Sequence, residues 1–499
     1  MFTRRRFLQT LGALAVSTRL HAQTYPFALG VASGYPWHAG VTLWTRLTGA
    51  PDPVAFAVKW EIAADEAMRT IVQSGESTAD PAWAHSVHVD VQSLEPGRPY
   101  WYRFSAAGAQ SAIGRTRTAP AAGAAVERLR FAFASCQQYE QGYYGAYRHI
   151  AADEPDFVAF LGDYIYESTW GKDHVRSHGA LEPYSLEDYR ARYALYRSDA
   201  DLQAAHAACP WLVIWDDHEV DNDYADNRPE DGMERGAFLQ RRAAAYRAYY
   251  EHMPLPERMR PQGPDLRLHT RIGWGSLARI YMLDTRQYRS WQACPRPNRR
   301  GGSNTVNVEN CTRLGAPGRS MLGRAQERWL EGALGDSSAG WNVLAQTTRM
   351  AQFDQKPGPG RLAWTDGWDG YPAARARLLS NLKNSSNPVV IGGDVHAFHI
   401  AQLKEDFDDP DSPTLASEFL GTSITSQGWP QERIARFMPD NPHVLLAESR
   451  YRGYTRVEVT PQRWLADLRI MHTVRERDAQ CSTLASYVVE SGRPGPLKA

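Results

Sequence analysis

The sequence predicts an α/β protein in which helices cover a sheet, preceded by a smaller all-β domain. Three observations predict it. Short strand-like runs with frequent turns fill residues 25–118. A small-residue linker, Ala119-Pro-Ala-Ala-Gly-Ala-Ala125, follows. Beyond it, strand patterns alternate with helical ones. At 499 residues with 43% hydrophobic content, the chain has room for two domains and a large core.

The chain opens with Thr3-Arg-Arg-Arg-Phe-Leu-Gln9, a twin-arginine pattern, then a short apolar run to Val16. Ala22 supplies a small residue before a cleavage point at Gln23. The apolar run is too short to span a bilayer, so residues 1–22 read as a twin-arginine signal peptide handled by that export machinery. The mature chain is then expected outside the cytoplasm, periplasmic or secreted, with no integral membrane segment.

In residues 23–118, the runs 41–47, 54–62 and 87–91 alternate apolar with polar. Leu94-Glu-Pro-Gly-Arg-Pro reads as a turn feeding the aromatic strand that ends near Phe104. Together they suggest a small antiparallel sandwich. After the linker at 119–126, residues 127–499 carry strand candidates at 129–135, 156–161, 211–215, 277–283, 341–345 and 388–391. Helix candidates lie at 143–152, 185–202, 236–252, 322–334 and 373–382, and Ser185-Leu-Glu-Asp starts the second with an N-cap serine.

Lys and Arg total 56 and Asp and Glu total 56, a balance that argues against a dedicated nucleic-acid partner. Export permits disulfides among the five cysteines. Cys294 and Cys311 flank a polar loop that a bridge would staple. Cys209 with Cys481 is the residual pairing, which leaves Cys136 free.

Ligands gather beyond the carboxyl ends of strands in such sheets. The first strand beyond the linker delivers Cys136 there, and the next delivers Gly162-Asp-Tyr-Ile-Tyr-Glu167. The third ends in Trp215-Asp-Asp-His-Glu219, with Asn222 close behind, and the last ends in Gly392-Gly-Asp-Val-His396, then His399. Singly, each has a bland reading: a small buried cysteine, a turn aspartate, a solvated loop. Their coincidence at four strand ends points to cations, which turn repulsion between acids into coordination. Thiolate, phenolate and imidazole suit a transition metal, whereas clustered carboxylates and amides suit a hard divalent ion. Such a mixed cluster activates water and clamps an anionic oxygen, the machinery of metal-assisted phosphate ester hydrolysis.

These motifs resemble the alkaline phosphatase D (PhoD-type phosphatase/phosphodiesterase) family, in the metallophosphoesterase group related to purple acid phosphatases. The resemblance also rests on Gly30-Val-Ala-Ser-Gly34, Val41-Thr-Leu-Trp-Thr-Arg46, Phe133-Ala-Ser-Cys-Gln137, Leu283-Asp-Thr-Arg286 and Asp366-Gly-Trp-Asp-Gly-Tyr-Pro372. Tyr35 departs from the family, which usually has Asp before Pro. The resemblance implies a four-layer α/β/β/α catalytic domain behind an immunoglobulin- or fibronectin-like domain. It also implies an Fe3+–Ca2+ cluster. Cys136, Asp163, Tyr166 and His396 would hold iron; Asp163 would bridge to calcium, completed by Asp217, Asp394 and Asn222. Purple acid phosphatases have Gly-Asn-His-Glu where this chain has Asp-Asp-His-Glu, and Gly-His-x-His where it has Gly-Asp-Val-His. Both exchanges bring carboxylates, which favour calcium over zinc.

The expected activity is hydrolysis of phosphodiesters and phosphomonoesters by in-line attack of a metal-activated hydroxide on phosphorus. His218 is the candidate to hydrogen-bond substrate or protonate the departing alkoxide, against an equal case for orienting Asp217. Arg286 is read as a structural ion pair in preference to a phosphate contact. No substrate-binding residue is assigned. The alternatives are a phospholipase D-like hydrolase of phospholipid head groups, a non-catalytic calcium-dependent surface-binding protein, and an inactive relative. The Arg- and aromatic-rich stretch after Ser426 leaves open a helix or tail over the cleft.

Overall fold

Short runs of β-branched and aromatic residues become strands buried along their length. The computed structural model describes residues 25–49, 53–299 and 301–499. The signal read at 1–22 lies outside them. Leu129–Ala134, Phe157–Leu161 and Pro210–Ile214 pair in parallel at the centre of a ten-stranded sheet. Arg452–Val459, Arg463–Met471, Cys481–Glu490 and Arg493–Lys498 extend it antiparallel on one side. The stretch after Ser426 thus contributes sheet as well as the short helix Gln431–Ala435.

A second, seven-stranded sheet runs in the order Thr270–Trp274, Ala278–Met282, Trp341–Ala345, Pro388–Gly392, Thr414–Leu420, Phe398–Lys404, Val444–Glu448. Its side chains divide by the period of two that a strand imposes. Ile280, Met282, Val343, Ala345, Val389 and Ile391 enter the core that holds Phe131, Phe157 and Trp464 of the first sheet. Tyr281, Leu344 and Val390 enter a second core with Leu330 and Leu379 of helices Gly323–Gly335 and Pro372–Leu382. Burial on both faces is why these strands read as unbroken apolar runs. Helices Ala146–Ala152, Leu186–Arg197, Ala200–Ala208 and Arg235–His252 bury Tyr147, Tyr193, Leu202 and Tyr246 in the first core.

The amino-terminal β region packs two sheets around Val41, Leu43, Val58, Ile62, Tyr102 and Phe104. Only one sheet is its own, the five-stranded one built on Phe56–Ala63 and Pro99–Ala106. The other, Val31–Trp37 with Gly40–Arg46 and Ser86–Val91, continues the ten-stranded sheet, because Val31–Trp37 pairs in parallel with Pro210–Ile214. Each strand satisfies backbone groups that the other would leave bare. Nothing local in the sequence encodes a pairing between Ser33 and Pro210.

Two expectations need correction. The helix read at 185–202 is two helices. Ser185 and Asp188 form the predicted capping box, but Asp199 then accepts from the amides of Asp201 and Leu202 at 3.0 and 3.2 Å and starts a new helix. Cys209 and Cys481 are both free thiols. Cys209 abuts the strand beginning at Pro210, which lies five strands across the sheet from the one containing Cys481. At about 4.8 Å per strand they stand roughly 24 Å apart, far beyond disulfide reach.

Cys294 and Cys311 are bridged, with Cα atoms 6.1 Å apart and a sequence separation of 17. Replacing both by alanine should cost about 3 kcal/mol, the loop-closure entropy returned to the unfolded chain. Denaturant unfolding checks this; an unchanged midpoint would show that the loop is held by its packing alone. Among the described residues no helix is long and apolar enough to cross a membrane.

Candidate active site

The strand tips meet where the two sheets face each other. Cys136, Asp163 and His396 bring their ligating atoms within 4.8 Å of one another, as do Asp163, Asp217 and His218. The Tyr166 hydroxyl lies 2.9 Å from Asp163 Oδ2 and 3.2 Å from His396 Nε2, and accepts from Ser426 Oγ at 2.8 Å. His396 Nδ1 donates to the Gln427 carbonyl at 2.7 Å, which leaves the Nε2 lone pair facing the cluster. Asp394 Oδ2 accepts from Thr348 Oγ1 at 2.5 Å. Asn222 lines the same cavity and donates its amide to Glu230 at 2.8 Å, which leaves its carbonyl oxygen uncommitted.

The backbone is bent to achieve this convergence. Cys136, Asp163, Asp394 and His396 all sit at positive φ, at 58°, 58°, 65° and 52°. Non-glycine residues rarely adopt that region, and such strain concentrates at functional sites. Gly162, at φ 94°, allows the close approach: a Cβ there would lie 2.6 Å from Asp216 Cβ. Glu219 ties two tips together by accepting from the amides of Tyr164 (2.6 Å), Asp163 (3.1 Å) and Asp216 (2.9 Å).

Negative charge is in excess here. Burial, reinforced by Asp216 and Asp217, pushes the carboxyls of Asp163 and Asp394 well above the usual range. Burial, then Asp163, does the same to the Cys136 thiol. Burial opposes ionisation of Asp217 too, but Arg286 and His218 outweigh it and hold its carboxyl low. Arg286 is fully buried and binds Asp216 (2.6 and 3.1 Å) and Asp366 (2.7 Å). It is the structural ion pair that the sequence suggested. Asp163 Oδ1 remains buried with no hydrogen-bond donor, and Asp217 Oδ1 has only the Arg286 guanidinium, 3.4 Å away, as an ion-pair partner. An orphaned carboxylate oxygen and further acids beside sulfur, phenol and imidazole fit a pair of cations, the harder one on the aspartate side.

His218 Nδ1 bonds Glu167 Oε2 at 2.7 Å, so glutamate orients the ring. Burial disfavours its charge, but Glu167, Asp217 and Asp163 together raise it well above the ordinary histidine range. The site opens into a cavity of ≈ 950 Å³ that includes Asp163, Asp217, His218, Asp394 and His396 in its wall.

The family sequence profile described as PhoD-like phosphatase matches residues 131–468, and that of the PhoD-like phosphatase N-terminal domain matches residues 13–120. The chain belongs to the PhoD-like phosphatase family. It is 46% identical over 510 aligned positions to alkaline phosphatase D of Bacillus subtilis (strain 168), covering 98% of this chain and 85% of that protein. A solved structure described as the structure of PhoD superposes with a TM-score of 0.90 at 45% identity, over 96% of this chain and 92% of the other.

Around the PhoD-like site the structure adds residues to which sequence reading assigned no role. Asp223 and Asp366 form a third acidic group with Asp217. Asp366 opens one of the motifs behind the resemblance, but it arrives from a loop remote in sequence, so no local spacing announced its place beside Asp217. Asp223 also accepts from the Ser303 amide at 3.0 Å, which ties the disulfide-bridged loop to the cavity wall. Ser426 and Glu219 act through hydrogen bonds, and neither carries a signal of its own.

Proposed function

We propose that this PhoD-like phosphatase is an exported, metal-dependent hydrolase of phosphate esters, acting on phosphodiesters and phosphomonoesters. One observation carries the reading: Asp163 stands between the Cys136–Tyr166–His396 group and Asp217, with an enclosed oxygen that no protein donor reaches. Cys136, Asp163, Tyr166 and His396 would hold Fe3+, and Asp163, Asp217, Asp394 and Asn222 would hold Ca2+. When bound, these ions supply a water of lowered pKa and positive charge for the phosphoryl oxygens.

The chain supplies position and protons. Glu219 and the bent strand tips fix the ligands before substrate arrives. Glu167 holds the protonated His218 at the cavity wall, where it can give its Nε2 proton to the departing alkoxide. The bond to Glu167 occupies Nδ1, so Nε2 is the atom that would serve either role, proton donor or partner that orients Asp217. A purely calcium-binding protein would give Cys136, Tyr166 and His396 no reason to converge.

The same reading divides the chain into a signal at 1–22, a β-sandwich at 23–118, a linker at 119–126 and a catalytic domain at 127–499. The division of side chains between two sheets and flanking helices supports the four-layer α/β/β/α description. The two packed sheets of the front region support its immunoglobulin- or fibronectin-like label. The Cys294–Cys311 bridge supports an oxidising compartment, hence the periplasm or beyond.

Exported protein should hydrolyse p-nitrophenyl phosphate and bis-p-nitrophenyl phosphate, lose both activities on chelation, and regain them with iron and calcium. A phospholipid arm separates the phospholipase D-like alternative, which uses the same cluster. Cys136→Ser should lower iron content and activity together. Full activity with unchanged iron in that variant would overturn the assignment of Cys136.

A further inference from the structure

Arg349 is a buried cation with no carboxylate of its own among the described residues. It follows the tip of Trp341–Ala345 and is 5% exposed. Its Nε is enclosed and accepted by nothing. Among the described residues its guanidinium makes no ion pair, although it lines the catalytic cavity. The carboxylates whose field it feels, Asp369, Glu418 and Asp394, are engaged elsewhere. Asp369 holds Arg375 at 2.6 Å. Glu418 accepts from the amides of Met350 (2.5 Å) and Ala351 (3.0 Å), and Asp394 accepts from Thr348. Burying an unpaired guanidinium is costly, and the face of Phe353, 4.3 Å from its Cζ, compensates only in part.

His399 also packs against the Phe353 ring, with centroids 5.2 Å apart, and also lines the cavity. It is 2% exposed and its Nδ1 has no partner. Two buried nitrogen-bearing side chains with unmet hydrogen bonds thus share one aromatic ring in the wall of the site. A fixed planar fork of donors suits bidentate binding of oxyanions, phosphate among them.

We propose that Arg349, with His399 beside it, forms the phosphate-binding subsite of this cavity and takes the non-bridging oxygens of the phosphoryl group. The assignment rests on the phosphoesterase reading for its substrate, but its ligand is tested without turnover. Orthophosphate is the probe, titrated calorimetrically into metal-loaded wild type, Arg349→Met, Arg349→Lys and His399→Gln, with melting curves to verify folding. Arg349→Met should bind orthophosphate about 10- to 100-fold more weakly, the loss expected for a charged hydrogen bond. Arg349→Lys should recover part of the affinity, and KM for both nitrophenyl esters should rise in parallel with the dissociation constant. A folded Arg349→Met with wild-type orthophosphate affinity would overturn the subsite. So would a variant that loses thermal stability alone, which is what a merely structural arginine predicts. Should wild type hydrolyse neither ester, the functional reading falls, and the subsite still stands or falls on the orthophosphate titration.

Discussion

Replacing Asp163 by asparagine is expected to lower kcat/KM for mono- and diester substrates on the order of 1,000-fold, about 4 kcal/mol of barrier. Asp163 is the residue common to both groups of candidate ligands, so its loss weakens two cation positions at once. Asparagine keeps the shape, and its amide can still lie 2.9 Å from the Tyr166 hydroxyl as Asp163 Oδ2 does. The stability expectation has the opposite sign. Burial, with Asp217, Asp216 and Glu219, makes ionising Asp163 costly, and His218 offsets this only in part; asparagine, neutral and of the same shape, carries no such cost. Metal-free Asp163→Asn should therefore melt no lower than metal-free wild type. Elemental analysis, steady-state kinetics and melting curves check the three parts. Retention of both ions together with activity would remove Asp163 from the cluster.

The second large effect falls on stability. Arg286→Met should cost roughly 3–5 kcal/mol in denaturant unfolding, the range for breaking a buried ion pair on one side. Arg286 is enclosed with Asp216 on its Nε edge and Asp366 at Nη2. Methionine fills similar space but leaves Asp216 with only the Thr347 hydroxyl as a side-chain donor at 2.7 Å. Asp366 is cushioned by Arg289 and Gln292, at 2.8 and 2.7 Å. Arg286→Lys should recover little, because one ammonium cannot reproduce a planar fork. A loss under about 1 kcal/mol would mean that the carboxylates relax or take up protons locally.

The metal-competent residues were legible because they share one positional rule. Cys136, Asp163, Asp217 and Asp394 each lie two or three residues past a buried apolar run, and such runs are the strongest strand signal in a single sequence. Arg349 likewise follows the buried run Trp341–Ala345. Arginine is not a metal ligand, so it carries none of the signal that marks the other tips. Asp366 stands in a motif and Ser426 in none, yet neither had an assignable role, for a different reason: their partners lie on loops distant in sequence, and only tertiary structure brings them together. Ile71–Ala79 went unread as a strand since it alternates exposed with half-buried residues and has no continuous apolar run. The split at Ser198-Asp199 was readable, as aspartate is a strong helix starter, but helical periodicity on both sides masked it.

The parallel pairing of Val31–Trp37 with Pro210–Ile214 makes the amino-terminal region inseparable from the catalytic one. Cutting the chain at the linker would not release a smaller working hydrolase. It would expose the flank of the very strand that carries Asp216 and Asp217, a ready template on which neighbouring molecules would stack and aggregate.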